Sequence, residues 1–569
     1  MLLLLLDVLR AKSSGYSGVH GSYNVAARHG AHPVLPLTFI HLITTSSPYF
    51  TTAVVPPRRP GRSPHLTADP LETPIMSKEG ITHYEGYSPY TFEDPHSPVE
   101  KHRPLAENGL DGAVTNENEL NQGFSFALML GGAWANLFNT LSTTIVFGGL
   151  AEFTSSWPTS SGPQEWAFQL FPRKMKRAGS YFVAWSLSCL YLFATMASTV
   201  IVSKQIAGLA AYRDPTYVPE AVHVWAINVG ILFVCALINL FGIRAMHSIQ
   251  TFSLCWFICG FFVWLIVPLV KAKNTVGYTP AKEVFTNNDL NLSGWSNFIA
   301  FMIGTAGVSA GYGIPDAVTH IAEETKRPEV DLPKIMIMSP LISLVTATGM
   351  CLAFLFCNVP QITMALSPTG VPFIDFLDAT VGNRAGVTVM VVILIYAQFV
   401  ACLECQLASS RTLFTFAREG GAFFPSILGR VNLTLQVPVW TVLFNFVFCA
   451  ALTLLLLGSE TALNVFLNCS GTLALCTYGP LFIASIASRR RFFKGPFSLG
   501  RWGFFINITA LVYLVFVVIF WFFPYMKAWK GDNSMFNYNI AIVPGVMLLG
   551  LLAWFASGRR TYLTHRTLI

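Results

Sequence analysis

Residues 303–324 read IGTAGVSAGYGIPDAVTHIAEE, an apolar stretch with four glycines and a proline, followed by an aspartate, a histidine and two glutamates. The segment is hydrophobic enough for a membrane and badly built as a helix. Glycine costs about 1 kcal/mol in a helix interior and proline about 3 kcal/mol. Lipid offers no partner to the backbone groups that a broken helix releases. Such a stretch is stable where it lines a protein cavity, and secondary transporters use broken helices in this way to present helix ends to substrate and ions. Gly304, Gly307, Gly311, Gly313 and Pro315 are therefore expected to shape a site. Small residues also permit close helix packing, and Gly307 and Gly311 have G-x-x-x-G spacing. Packing needs neither Pro315 nor Asp316, so the cavity reading carries more weight.

The surrounding chain supplies the membrane. Of 569 residues 53% are hydrophobic and only 11% charged, with a mean hydropathy of +0.53, too little polar surface to cover a soluble globule of this size. Apolar runs fall near 124–149, 181–202, 222–241, 249–270, 298–321, 335–356, 387–407, 437–457, 462–484, 505–523 and 540–556, eleven in all. Each is near the roughly 20 residues that a helix needs to cross the hydrocarbon. Barrel strands would be half as long and would alternate in polarity. The fold class is an all-α polytopic membrane protein.

The net charge of +7 sits in short clusters between apolar runs, as membrane loops do, and does not suggest nucleic acid. Counting Lys and Arg on alternate sides gives 19 on the side that holds Arg173–Arg177, Lys326–Arg327, Arg411, Arg489–Arg491 and the C-terminus, against 8 on the other. The richer side is read as cytoplasmic. All eleven cysteines lie in apolar runs, as small buried residues and not as a disulfide framework. Cys402-x-x-Cys405 lacks the second ligand pair of a zinc site.

Four regions result. Residues 1–75 read as a non-globular extension, with Met76 a candidate start; 76–123 as a disordered cytoplasmic tail; 124–556 as the membrane domain; and 557–569 as a cytoplasmic C-terminal tail. A second weak point lies in the first apolar run, where Gly131 and Gly132 precede Trp134, Asn136 and Asn139. Two interrupted helices about 175 residues apart fit an inverted repeat of five spans.

Three motifs carry a resemblance. Leu150–Gly162, LAEFTSSWPTSSG, is similar to L-A-E-L-x-S-x-x-P-x-x-G-G at the end of span two in the amino acid–polyamine–organocation superfamily. His320–Pro333, HIAEETKRPEVDLP, resembles the end of span six and its following loop, and Ser409–Gly421, SSRTLFTFAREGG, resembles the loop after span eight. The fungal amino acid, GABA and choline permeases look like the nearest branch. The resemblance implies a LeuT-like inverted repeat of twelve spans, with helices 1 and 6 discontinuous. In that pattern about twenty apolar residues separate a glycine pair from L-A-E, whereas Gly148-Gly149 runs directly into Leu150, so most of span two is expected to be missing. Sequencing the transcript between the codons for Phe147 and Glu152 is the corresponding check.

By the same resemblance, Gly131, Gly132, Trp134 and Asn136 would form the span-one break, whose N–H groups receive a substrate carboxylate. Ala310, Gly311, Tyr312, Gly313 and Pro315 would form the span-six break. Asp316 would couple a proton or meet a substrate amine. Where the superfamily often reads G-Y-D this chain reads I-P-D, which puts an aromatic lid in doubt. Glu404 is the other carboxylate inside a span, and function is the default reading of such a group. His320, Glu323, Glu324 and Arg411 lie at the cytoplasmic exit as a candidate gate, where solvation also explains them, and Glu152 is similar. Lys204 reads as a snorkelling side chain.

The expected function is a secondary permease that imports an amino acid or GABA by proton symport at the plasma membrane. Choline, polyamines, sodium coupling and an internal membrane are the alternatives, and a non-transporting receptor is the alternative class. Trp134 and Tyr312 are the aromatics available to cage choline. No nucleotide-binding loop, cofactor motif or nucleophile–base pair is present, so neither an ATP-driven pump nor a membrane enzyme is expected.

Overall fold

A computed structural model describes residues 132–564, apart from 243–245, 287–293, 310–313, 361–366, 368, 433, 436, 459–461, 491–494 and 525–536. The expected extension and cytoplasmic tail, Gly131, and the four residues Ala310, Gly311, Tyr312 and Gly313 lie outside the described residues.

The elements are helical. In chain order they are α1 (Gly132–Ser156), α2 (Pro163–Leu170), α3 (Lys176–Arg213), α4 (Ala221–Phe241), α5 (Met246–Ala272), α6 (Asn297–Ser309), a 3-10 segment (Pro315–Glu324), α7 (Pro328–Phe356), α8 (Pro372–Val381), α9 (Arg384–Arg418), α10 (Val439–Leu452), α11 (Ala462–Ala487), α12 (Gly503–Trp521) and α13 (Asn539–Ala553). Among the described residues nine helices are long and apolar enough to cross a membrane. With α1 and the α6 region they account for all eleven apolar runs.

Burial orders these helices. In α3, 78% of the apolar window is buried, against 17% in α5, α7 and α13, so α3 is central and the other three present most of their apolar surface outward. α3 packs on α9 and α11, while α1 packs on α6, α7 and α12. Hydroxyls inside α3 are satisfied within the helix: Thr195, Thr199 and Ser203 donate to the carbonyls of Tyr191, Thr195 and Thr199 at 2.8, 3.0 and 2.7 Å. This is how polar side chains are accommodated where no water is available. Close approach of α1 to α11 depends on Gly149, where an added Cβ would sit 2.6 Å from the Phe482 ring.

Contacts agree with the charge count. Arg177 donates to the Tyr562 and Arg559 carbonyls, Leu563 N–H donates to the Glu419 carbonyl, and Arg490 pairs with Glu152. All these residues belong to the side read as cytoplasmic. On the other side Tyr212 donates to Asp378 at 2.5 Å and Thr275 to the Thr380 carbonyl at 2.8 Å.

One expectation is corrected here. Glu152 is fully buried and held by Arg490, Ser498 and the Leu499 N–H, not solvated at a helix exit. The C-terminal stretch, as far as it is described, packs against the bundle: Tyr562 is fully buried, and its hydroxyl lies 2.8 Å from Ser180 Oγ.

Candidate functional site

The stretch that opened the sequence argument does change character inside the membrane. α6 is described as far as Ser309, Ile314 is extended, and a 3-10 segment follows from Pro315. A helix end leaves its last carbonyls without intrahelical partners. Here Ala306 C=O accepts the Trp521 indole N–H from α12 at 2.8 Å and the Ser309 hydroxyl at 2.6 Å. The Ala306 carbonyl near this end therefore has two side-chain donors.

A cavity of about 1030 Å³ adjoins this point. Asn136 of α1, Tyr191 and Lys204 of α3, Pro315 and His320 of the 3-10 segment, Glu404 and Arg411 of α9 and Tyr478 of α11 are among the residues that line it. Asp316 is fully buried and lies behind Tyr191 and Tyr478. The Tyr478 hydroxyl donates to Asp316 Oδ1, and the Tyr191 hydroxyl is within electrostatic reach of the same carboxyl group. Among the described residues no hydrogen-bond donor reaches Asp316 Oδ2. His320 Nε2, one turn further on, lies 3.9 Å from it.

His320 is held on three sides. Its Nδ1 lies 3.2 Å from the Ser160 carbonyl, its Nε2 lies 3.2 Å from Thr412 Oγ1, and Arg411 Nη1 donates to its backbone carbonyl at 3.1 Å. A carbonyl only accepts, so in the neutral ring Nδ1 carries the proton and Nε2 accepts from Thr412. The loop that brings Ser160 here requires Gly162, whose φ is +49° and whose Cβ would sit 2.6 Å from Thr319 Oγ1. Ser160 Oγ in turn donates to Glu323, which is exposed. Glu324 is in the same 3-10 segment.

Glu404 is partly exposed to the cavity, and Gln250 Nε2 of α5 donates to it at 2.9 Å, so it is hydrogen-bonded across helices. Lys204 lines the cavity as well.

The span-one residues are not arranged as a break. Gly132, Trp134 and Asn136 belong to α1, which is one uninterrupted helix from Gly132 to Ser156. Asn136 Nδ2 donates to Thr348 Oγ1 at 3.4 Å, and Asn139 accepts from the Tyr513 hydroxyl. These amides satisfy interhelical partners and release no backbone group. Trp134 is 54% exposed and packs edge-on against Phe285, away from the cavity that it was expected to help close.

Sequence reasoning missed Tyr191 and Tyr478. Both are grouped with the hydrophobic residues in the composition. The available signal is that a tyrosine buried inside a span needs a partner for its hydroxyl; for Tyr478 a buried carboxylate supplies one, and the Tyr191 hydroxyl stands beside the same group without a hydrogen bond among the described residues.

Comparison with known proteins agrees with this architecture. The family model described as amino acid permease matches residues 122–548. The chain is similar to a choline transporter of Saccharomyces cerevisiae, 25% identical over 81% of this chain and 86% of the relative. It is similar to a putative amino acid/polyamine transporter of Macrophomina phaseolina, 27% identical over 74% and 96% of the respective lengths. A thiamine transporter of Schizosaccharomyces pombe is 26% identical over 78% and 80%. The chain is a permease, not an enzyme, and an integral membrane protein, and it belongs to the amino acid permease family.

Proposed function

We propose that this permease imports a small nitrogenous solute, an amino acid or GABA, by proton symport at the plasma membrane, with Asp316 as the proton-binding group. The observation that carries this reading is a fully buried carboxyl group with one oxygen held by Tyr478 and the other without a donor among the described residues. A carboxyl so placed binds or releases a proton at the edge of the cavity without meeting bulk water. Because Asp316 lies behind the tyrosines, proton coupling suits it better than direct contact with a substrate amine. Arg411, on the cavity wall, suits a substrate carboxylate.

Choline is a second reading, favoured by the aromatic faces of Tyr191, Tyr478, Tyr513 and Trp521 along the cavity, since such faces attract quaternary ammonium groups. Trp134 is not among them. The test is uptake of labelled amino acid or GABA, with choline as competitor. Protonophore-sensitive uptake with poor competition by choline supports the first reading. Strong competition by choline with indifference to excess amino acids supports the second, and uptake that tracks external sodium instead of protons rejects the coupling.

The length of α1 also bears on the expected shortfall. With 25 residues and the L-A-E motif in its last turns, α1 suits a whole span two. The glycine pair preceding it is then Gly131-Gly132, and the shortfall moves from span two to span one. The transcript is accordingly best examined upstream of the Gly132 codon.

A further inference from the structure

A buried proton-binding carboxyl group needs an exit. In this fold an ordered series of polar groups leads from Asp316 to the cytoplasmic surface. Asp316 Oδ2 faces His320 Nε2 at 3.9 Å, and His320 Nδ1 meets the Ser160 carbonyl at 3.2 Å. The Ser160 hydroxyl is bonded to the exposed Glu323. The other groups facing His320 are Tyr191, ring to ring at 5.5 Å from α3, and Arg411 and Thr412 from α9. Tyr478 of α11 reaches Asp316 alone.

We propose that His320 relays the coupled proton from Asp316 to the cytoplasm. This rests on Asp316 being the proton-binding group. A small rotation of either side chain closes 3.9 Å to a hydrogen bond. As the ring turns toward Asp316, Nε2 gives up the hydrogen bond it accepts from Thr412, and the acid proton on Asp316 Oδ2 passes to the lone pair so released, leaving a carboxylate and an imidazolium. The imidazolium loses its Nδ1 proton, held against the Ser160 carbonyl, to a water molecule at that surface, and the exposed Glu323 carboxylate, bonded to the Ser160 hydroxyl, takes the proton from that water. The ring is left neutral with Nε2–H donating to the Asp316 carboxylate. Exchange with water from the cavity that His320 lines restores the Nδ1–H form before the next cycle. The neighbouring Arg411 guanidinium repels a second resting cation, so the proton moves on. Imidazole suits this role because its two nitrogens accept and release on opposite edges of one ring.

The test separates net flux from exchange. Counterflow across a membrane without a proton gradient does not require the coupled proton to leave, whereas net uptake does. The full chain is reconstituted in proteoliposomes with labelled GABA as probe, or labelled choline if GABA is not carried. His320→Gln keeps the polarity and approximate size of the side chain but cannot carry a proton. It should lose at least tenfold of gradient-driven net uptake while counterflow changes less than threefold. A parallel fall of both would indicate a structural role and overturn the relay, as would unchanged net uptake. If His320→Gln does not reach the bilayer, Glu323→Gln at the exposed end carries the same test, with a three- to tenfold loss of net uptake expected and no loss overturning the proposal. Insensitivity of the parent chain to a proton gradient would instead reject the Asp316 reading itself. A parent chain with neither flux has no proton to relay and overturns both.

Discussion

Glu152→Gln removes the charge from a carboxylate that is fully buried and joined to a guanidinium whose side chain is 12% exposed. Breaking a buried pair from one side costs about 3–5 kcal/mol, because the remaining charge stays desolvated. Arg490 retains the Gly500 carbonyl and a narrow path to water, and glutamine can still accept from Ser498 and the Leu499 N–H. We therefore expect a cost at or just below the bottom of that range, about 2–3 kcal/mol. The pair joins α1 to the loop between α11 and α12, residues 338 positions apart in sequence, so it is lost early in unfolding. If the whole effect falls on the unfolding rate, that energy corresponds to one and a half to two decades. The assay is the half-life of the monodisperse protein in mild detergent at fixed temperature, by fluorescence-detected size exclusion, for Glu152→Gln, Arg490→Gln and the double variant. The double variant should be little worse than either single variant, because the two substitutions remove one interaction. A half-life of Glu152→Gln within twofold of the parent, or strictly additive effects, would refute the reasoning.

Two further predictions concern the two faces of the membrane. Tyr562→Ala removes a fully buried ring that packs against Tyr181 and Phe416; an aromatic truncation of this kind costs about 3–5 kcal/mol, so trypsin cleavage at Arg559 and Arg560 should accelerate at least tenfold, and an unchanged rate would mean that the segment is not docked. On the outer face, burial pushes the Asp375 carboxyl up to about 6, opposed by hydrogen bonds from Ser367 and Thr369. A carboxyl whose folded value exceeds its ordinary 3.8 favours the fold in its protonated form, so its contribution is complete below about pH 4 and is lost as pH rises through about 6. The effect is about 1–2 kcal/mol once partial exposure is allowed for. Amide exchange in α8, corrected for intrinsic rates, should quicken from pH 5 to pH 7 and become flat in Asp375→Asn; equal pH dependence in the two proteins would remove Asp375 as the cause.

The helix end in span six was legible because its cause is local. Glycines and a proline within an apolar run have a fixed backbone cost, and lipid leaves few ways to meet it. The helices themselves were legible for the same reason, from the length of apolar sequence that crosses a membrane. The partners were not. Arg490 is 338 positions from Glu152 in sequence, and only the packing of α1 beside the loop after α11 joins them. Asn136 and Asn139 suggested an interruption because an amide inside a span has to be satisfied somehow. Asn136 Nδ2 finds Thr348 and Asn139 Oδ1 finds Tyr513 across helices, and the helix continues unbroken. Tyr191 and Tyr478 were hidden by their rings, which place them among the hydrophobic residues and leave their hydroxyls uncounted.

The role of Asp316 is the central claim, and Asp316→Asn tests it most directly. The substitution preserves shape and removes the titratable proton. Labelled substrate uptake into proteoliposomes is measured with an imposed inward proton gradient and again without it, alongside the parent chain and with insertion checked on both. The account predicts that the parent accumulates substrate above equilibrium only with the gradient, and that Asp316→Asn, inserted to the same level, does not accumulate it under either condition. Gradient-driven accumulation by Asp316→Asn equal to that of the parent would contradict the account and remove Asp316 from the mechanism.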